Sequence, residues 1–544
     1  MTSSPNKNSL IAPLFVAVAA LAFPVATFAQ EKPRSLVPQF IQDQTRNGEK
    51  AADDQKVSSP PAAQPLETPQ SQQKGGGSLV IQTLDALSNS SIGTLGKEQG
   101  GFGSRLWEGS DPSLIANLIS QLPVENRSMA SQDLLRRLLL TSAQLPQKNE
   151  ASEKILDLRF AILRKAGFSA DVLDLAGRLP REGLNESRKT SIANAYFTLS
   201  DLEKLCSLVA EETGNGNANP FWTKSEAFCL VREKQFDKAE LAVALLEEQG
   251  EEDPLFFTLF SALAGGVKPE KIENRNLTPL HLSMMNEAGV TPASDQDGAF
   301  YQSAFEKAKA AASPDMAASE LAAIWETAEH KGEIGKLAQK SSEILTLVPP
   351  KNYDPAFNMN AVKMLLMVQQ DETAKKWERV IRRAASQGTN TEKLQARKDV
   401  QRLDAYILLS GIDGIARWNS GSFASWMNAV QEDPAAGQKS TFLLSMLQAL
   451  GYAVTEKDWE ALLRRAVPLS TGQSNHALEV NLIAAAQKKR LGETILLSLL
   501  ALGDAGPENV STTSLVAVTT ALRAVGLERE ARQLALEAAV DLNL

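Results

Sequence analysis

The sequence predicts an exported, all-α chain whose bulk is an array of stacked helical hairpins. Three observations carry this. The N-terminus has the layout of an export segment. From Pro112 to the end, apolar residues recur at i, i+3, i+4 and i+7. Alternating β-branched and aromatic runs are nearly absent, and the 544 residues hold only 19 Phe, 7 Trp and 5 Tyr, a usage that favours helices over sheets.

The first nine residues are polar with one cation, Lys7. An apolar run follows from Leu10 to Ala22, then Pro24 and Thr27-Phe28-Ala29 before Gln30-Glu31. A basic n-region, an apolar h-region and small residues at −3 and −1 describe a secretory signal peptide over 1–29. The alternative is a retained anchor, since Leu10 to Ala29 approaches spanning length; Pro13 and Pro24 argue against a clean spanning helix. No cysteine stands near the cleavage point, and no second apolar run reaches spanning length. The expectation is therefore an exported protein with no integral membrane span after cleavage.

Residues 30–78 are rich in Gln, Pro, Ser, Lys and Asp and end at Gly75-Gly76-Gly77-Ser78. With no periodic apolar face, nothing offsets the entropy of ordering, which predicts a disordered linker. Residues 79–111 form a glycine-rich lead. The stretch from Ser78 to Thr83 is the only plausible strand, and it reads equally as a helix start. Gln99 to Ser110 invites comparison with a phosphate-cradling loop, but Leu106 stands where a third glycine is required, and no Gly-Lys-Ser/Thr follows. The lead is expected to dock Phe102 and Trp107 onto the first hairpin.

Helical periodicity opens at Asp111-Pro112, a cap followed by an N1 proline. Leu114, Ile115, Leu118, Ile119 and Leu122 mark one face, and Leu134, Leu135, Leu138 and Leu139 the next. The clearest unit has the small residue Ala227, then Leu230, Phe236 at the turn, and Ala239 where a second helix crosses closely. It resembles a tetratricopeptide (TPR) unit. Stepping 34 residues upstream from Ala239 gives Leu205, preceded by Leu202, Tyr196 and Ala193 in the same register, and 34 is the TPR period. Gly526 and Ala531 repeat the logic near the end. Pro269, Pro279 and Pro292 break it. The expected organisation is a first helical-repeat half over 112–264, an irregular joint over 265–297, and a second half over 298–544.

Two further segments, Gly100-Gly101-Phe102-Gly103 through Trp107-Glu108-Gly109 and Leu522 to Ala531, together with the Leu-rich hairpins between them, resemble a group of exported helical-repeat proteins of alphaproteobacteria. Some of these carry an "antifreeze glycopeptide" label. The resemblance implies an envelope location and no mechanism, and the label finds no Ala-Ala-Thr array here.

In the TPR-like register Cys206 and Cys229, the only cysteines, fall on neighbouring helices. In an oxidising compartment this predicts a disulfide between them; the alternative is two separate buried thiols.

Chemistry is not visible. His281, His330 and His476 have no metal-ligand spacing, no Gly-x-Ser-x-Gly elbow appears, and no cofactor motif occurs. The formal charge of −9 argues against nucleic acid as the main partner. Lys488-Lys489-Arg490 and Arg382-Arg383 are expected to be solvated helix faces, and Trp325, Trp377 and Trp459 inter-helix packing. The expected function is a periplasmic protein–protein interaction scaffold without catalysis of its own. The alternative is a part in peptidoglycan turnover with a lytic-transglycosylase-like superhelix. For that reading Glu186-Ser187 matches only a two-letter start, and its expected role is helix N-terminal charge behind the Asn185 cap.

Overall fold

The structure, a computed structural model, describes residues 91–544 except 126–127, 146–149, 268–271, 273–275, 291–295, 331–333, 388, 413–417, 465–474, 505–506 and 508–509. The expected export segment (1–29), the expected linker (30–78) and the 78–83 stretch lie outside the described residues, as do parts of 265–297.

The described residues are all-α. The first five helices are α1 (Pro112–Ser120), α2 (Met129–Leu140), α3 (Glu150–Lys165), α4 (Ser169–Ala176) and α5 (Glu186–Leu199). Then come α6 (Leu202–Gly214), α7 (Pro220–Arg232), α8 (Phe236–Glu248), α9 (Pro254–Leu263) and α10 (Pro279–Ala288). The middle holds α11 (Gln296–Lys309), α12 (Pro314–His330), α13 (Ala338–Leu345), α14 (Pro355–Met367), α15 (Asp371–Ala384) and α16 (Asn390–Ser410). The chain closes with α17 (Ser420–Ala429), α18 (Ala436–Ala449), α19 (Glu456–Leu463), α20 (His476–Gln487), α21 (Leu491–Leu502), α22 (Thr512–Ala524) and α23 (Glu528–Asp541). Sequential helices pack as neighbours along most of this order.

One hairpin turn recurs six times. Gly167, Ser200, Lys234, Gln369, Lys489 and Gly526 all have positive φ. The residue after each has φ between −79° and −96° and ψ between 53° and 86°, and the next helix starts at once. In all six, that second residue donates its N–H to the carbonyl five residues back at 2.8–3.0 Å, and the positive-φ residue donates three back. This double bond closes the orphan carbonyls of the first helix. Seven residues before the positive-φ position stand Phe160, Ala193, Ala227, Val362, Leu482 and Thr519; five residues after it stand Val172, Leu205, Ala239, Ala374, Thr494 and Ala531. All twelve are fully buried. The turn fixes where the two helices cross, and the crossing decides which residues lose all contact with water.

Between hairpins the connection is longer. Gly216 and Gly250 take positive φ, and Asn219-Pro220 and Asp253-Pro254 then cap and open the next helix. Asn185 caps α5 in the same manner. Asn185, Asn219 and Asp253 are spaced at 34 residues, so the spacing read from side-chain pattern is also a spacing of caps.

The apolar interior divides in two. A smaller core runs from Ala193 to Val290 and draws on α5 through α10. A larger one joins residues 106–195 with 301–544, the two cores meeting on α5. Ile272 and the α10 residues Leu280, Met284 and Met285, all within the expected 265–297 joint, belong to the smaller core, while Val267 is exposed.

The larger core brings the beginning of the described chain to its end. α1 and α2 pack on α21, and α2 on α23. The carboxylate of Glu537, 2% exposed, sits at the N-terminus of α2, where it accepts from the Ser128 hydroxyl (2.5 Å) and the Ala130 N–H (2.8 Å). Its charge lies where the helix dipole favours an anion. Arg137 of α2 pairs with Glu530 of α23 at 2.7 Å. Phe102 of the lead meets α2 as expected, with its N–H on Thr141 Oγ1 and Arg137 over its ring. Trp107 corrects the expectation of a first-hairpin dock. Its indole lies against Gly492 at the start of α21, where a Cβ would stand 2.4 Å from the ring, so only glycine fits.

Candidate binding groove

The predicted hairpin residues fall on three kinds of position. Ala193, Ala227, Leu205, Ala239 and Ala531 are the fully buried crossing points just described. Tyr196, Leu202 and Leu230 are half-buried against the smaller core, and the carbonyls of Tyr196 and Leu230 accept the turn bonds. Gly526 is a positive-φ turn residue at φ 90°. Phe236 is 40% exposed; it follows Gln235 at the start of α8, where its ring points partly to water.

Cys206 and Cys229 form a disulfide between α6 and α7, with their Cα atoms 5.6 Å apart, inside the range a bridge can span. It lies in the regular 34-residue stretch. There the caps are cross-linked by polar contacts from one unit to the next. Glu186 accepts from Trp222 Nε1 (2.5 Å) and from Asn217 (2.7 Å), so both its oxygens serve the stack, and Asn185 caps α5 as expected. Lys224 pairs with Asp253 and Glu251, and His281 meets Asp253 at 3.1 Å. Burial opposes charge at Asp253, but the Lys224 ammonium, the Phe256 N–H and His281 outweigh it and hold the carboxyl below its usual range. Lys224 is likewise raised, its two carboxylates outweighing burial.

Among the described residues no group of His, Cys, Asp or Glu is arranged to hold a metal ion. His330 hydrogen-bonds the Glu326 carbonyl of its own helix, and His476 opens α20. No helix among the described residues is long and apolar enough to cross a membrane. Trp325 and Trp377 are buried and pack around Phe357, while Trp459 is half-buried against the larger core.

Among the described residues a concavity of about 510 Å³ runs along α16, between α15 and α17. Arg397, Val400, Gln401, Asp404, Ala405, Ile407 and Leu408 of α16 line it. All but Ile407 fall at i, i+3, i+4, i+7, i+8, i+11, a stripe about 16 Å long at 1.5 Å per residue, and Ile407 flanks it. Arg382 and Ala385 of α15 form one wall. Trp418, with Gly421, Ser422, Ser425 and Trp426 of α17, forms the other, and Leu443 of α18 adds to the lining.

Charge and hydrogen-bonding capacity are unevenly used there. Arg382 bonds Glu378 at 2.7 Å and Asp404 at 2.5 Å. Burial opposes its charge, and those two carboxylates more than restore it, so its pKa lies above the ordinary value. This corrects the reading of Arg382 as a solvated face. Its i−4 partner Glu378 was visible in the sequence, whereas Asp404 comes from the next helix. Lys489 and Arg490 are also more than solvated charge: Lys489 donates to the Ala524 carbonyl, and Arg490 pairs with Glu493 at 3.0 Å. In the groove, Arg397 is exposed and has no ion-pair partner among the described residues. Trp418 donates its N–H to the Ala453 carbonyl. Trp426 is 3% exposed, and its indole N–H, itself closed off from solvent, has no acceptor among the described residues. Phe423 stacks on Trp426 with ring centroids 6.4 Å apart and fixes the indole plane. The sequence analysis passed over Trp418 and Trp426; their one signal was a pair of tryptophans eight residues apart on a short helix with its approach.

Comparison with known protein families, with curated proteins and with solved structures finds no match.

Proposed function

We propose that the chain is an interaction scaffold of the cell envelope, built from TPR-like hairpins, working in the periplasm and without catalysis of its own. The observation that carries this reading is the sixfold recurrence of one hairpin turn with its twelve buried crossing points. Stacked helical units of fixed geometry present long concave surfaces to partner chains. The Cys206–Cys229 bridge supports an oxidising compartment, and the N-terminal apolar segment supports export. In-cell cross-linking followed by mass spectrometry of the captured proteins tests the reading. The expected result is reproducible recovery of one or more envelope proteins. Recovery of none above background overturns it.

A further inference from the structure

We propose that the groove along α16 binds an extended acidic peptide segment with one large apolar side chain; the proposal deepens the scaffold reading by naming the partner chemistry and the surface that takes it.

Shape comes first. The lining stripe is about 16 Å long, the span of about five residues of extended chain at 3.3 Å each. The volume of about 510 Å³ lies within the range of sites that enclose a ligand. Ala405, Leu408, Leu443 and the Trp426 ring give it an apolar floor, which suits one inserted aromatic or aliphatic side chain.

Hydrogen bonding selects the conformation of the occupant. A helix satisfies its own backbone, while an extended chain presents free carbonyls and N–H groups that must find partners. The groove offers partners of that kind. The Gln401 amide and the Ser425 hydroxyl share the lining and supply donors and acceptors along the stripe.

Charge selects the sequence of the occupant. Between residues 371 and 404 the chain carries nine Lys and Arg against six Asp and Glu, a local excess of three positive charges in a chain of net −9. Asp404, the lining carboxylate, is already held by Arg382. Arg397 is left at the rim with its fork of donors uncommitted, a geometry that suits carboxylates.

The test uses the full mature chain and a dye-labelled heptapeptide with a central Phe among six Asp and Glu residues, read by fluorescence anisotropy. Two comparators carry Asn and Gln, or Lys, in place of the acids. The acidic peptide is expected to bind at least about tenfold tighter than the neutral one, with affinity falling as salt rises and with a change in tryptophan emission. Arg397→Glu, at an exposed position, should weaken binding at least about tenfold. Ser425→Trp, which fills the groove, should abolish it, with circular dichroism confirming that both variants fold. Equal affinity for acidic and neutral peptides overturns the proposal, as does affinity unmoved by both substitutions. The two readings fail separately. Partners that remain cross-linked in cells to Arg397→Glu overturn the groove assignment and leave the scaffold. Peptide binding in vitro with no partner captured in cells overturns the scaffold and leaves the groove.

Discussion

The smaller core, Ala193 to Val290, and the larger one, which joins 106–195 to 301–544, use the same hairpin turn for different ends. In the smaller core most contacts join adjacent units, and one closure is added: α10 folds back onto α5, where the Ser283 hydroxyl donates to the Phe197 carbonyl at 3.4 Å. Caps recur every 34 residues, the disulfide links two consecutive helices, and Trp222, Lys224 and His281 reach only to the neighbouring cap. In the larger core the decisive contacts cross the whole chain. Glu537 caps α2, Arg137 meets Glu530, and Gly492 receives Trp107. The first region is mainly a stack of neighbouring units, closed by the single return of α10 onto α5 within about a hundred residues. In the second, no contact at the seam forms until hundreds of residues are in place, so loop-closure entropy weighs against it.

The strongest way to break this comparison is at the seam. Glu537→Ala leaves the Ala130 N–H and the Ser128 hydroxyl without their carboxylate in a buried place. An unsatisfied, buried Ala130 N–H together with the lost charge-assisted bond to Ser128 costs about 3 kcal/mol. Native-state hydrogen exchange should show the amides of α2 and α23 losing protection by that amount, while those of α7 and α8 keep theirs. An equal loss across both regions would mean that they open as one cooperative unit and that the division is only geometric.

The mirror-image perturbation belongs to the smaller core. Removing the bridge with Cys206→Ser and Cys229→Ser frees a loop of 23 residues' separation, a loss of roughly 3 kcal/mol in the chain-entropy model. Burial of a serine hydroxyl at position 229, where the cysteine is 6% exposed, adds to it. Denaturant unfolding followed by exchange should place the loss in α6 to α8 and leave the seam amides as they were. A seam that loosens in parallel would show that the local stack supports the long-range closure.

The difference between the regions also explains what could be read in advance. Ala193, Leu205, Ala227 and Ala239 were legible because their register depends on residues within 34 positions of each other. The disulfide was legible for the same reason, and so was the Asn185 cap. The Glu537 site was not legible: a glutamate on a helix stripe looks like any solvated acid until Ser128 and Ala130 arrive from the other end of the chain. Trp107 was legible as an anchor but not in its destination, because nothing near it in sequence names Gly492. The groove fell between these cases. The α16 stripe is a helical period that sequence displays, but two of its walls come from α15 and α17, and only their meeting turns Arg397 and Trp426 into neighbours of one cavity.

The finest test lies in the turn that both regions share. Lys234 occupies a left-handed position at φ 61°, which disfavours a Cβ by about 1 kcal/mol. Lys234→Gly removes that strain but enlarges the freedom of the unfolded chain, so the net gain should be roughly 0.5 kcal/mol. Lys489 holds the same conformation at φ 55°, yet its ammonium also donates to the Ala524 carbonyl of the neighbouring hairpin. A net hydrogen bond of about 1 kcal/mol would be lost there, so Lys489→Gly should be neutral or slightly destabilising. The pair isolates one variable, because backbone geometry is common to both turns and only the side chain's cross-unit reach differs. Denaturation midpoints that rise for Lys234→Gly and not for Lys489→Gly would show that the larger core has recruited even its turn residues into contacts between units. Equal gains would mean that the Lys489 bond contributes nothing and that the two regions differ at the seam alone.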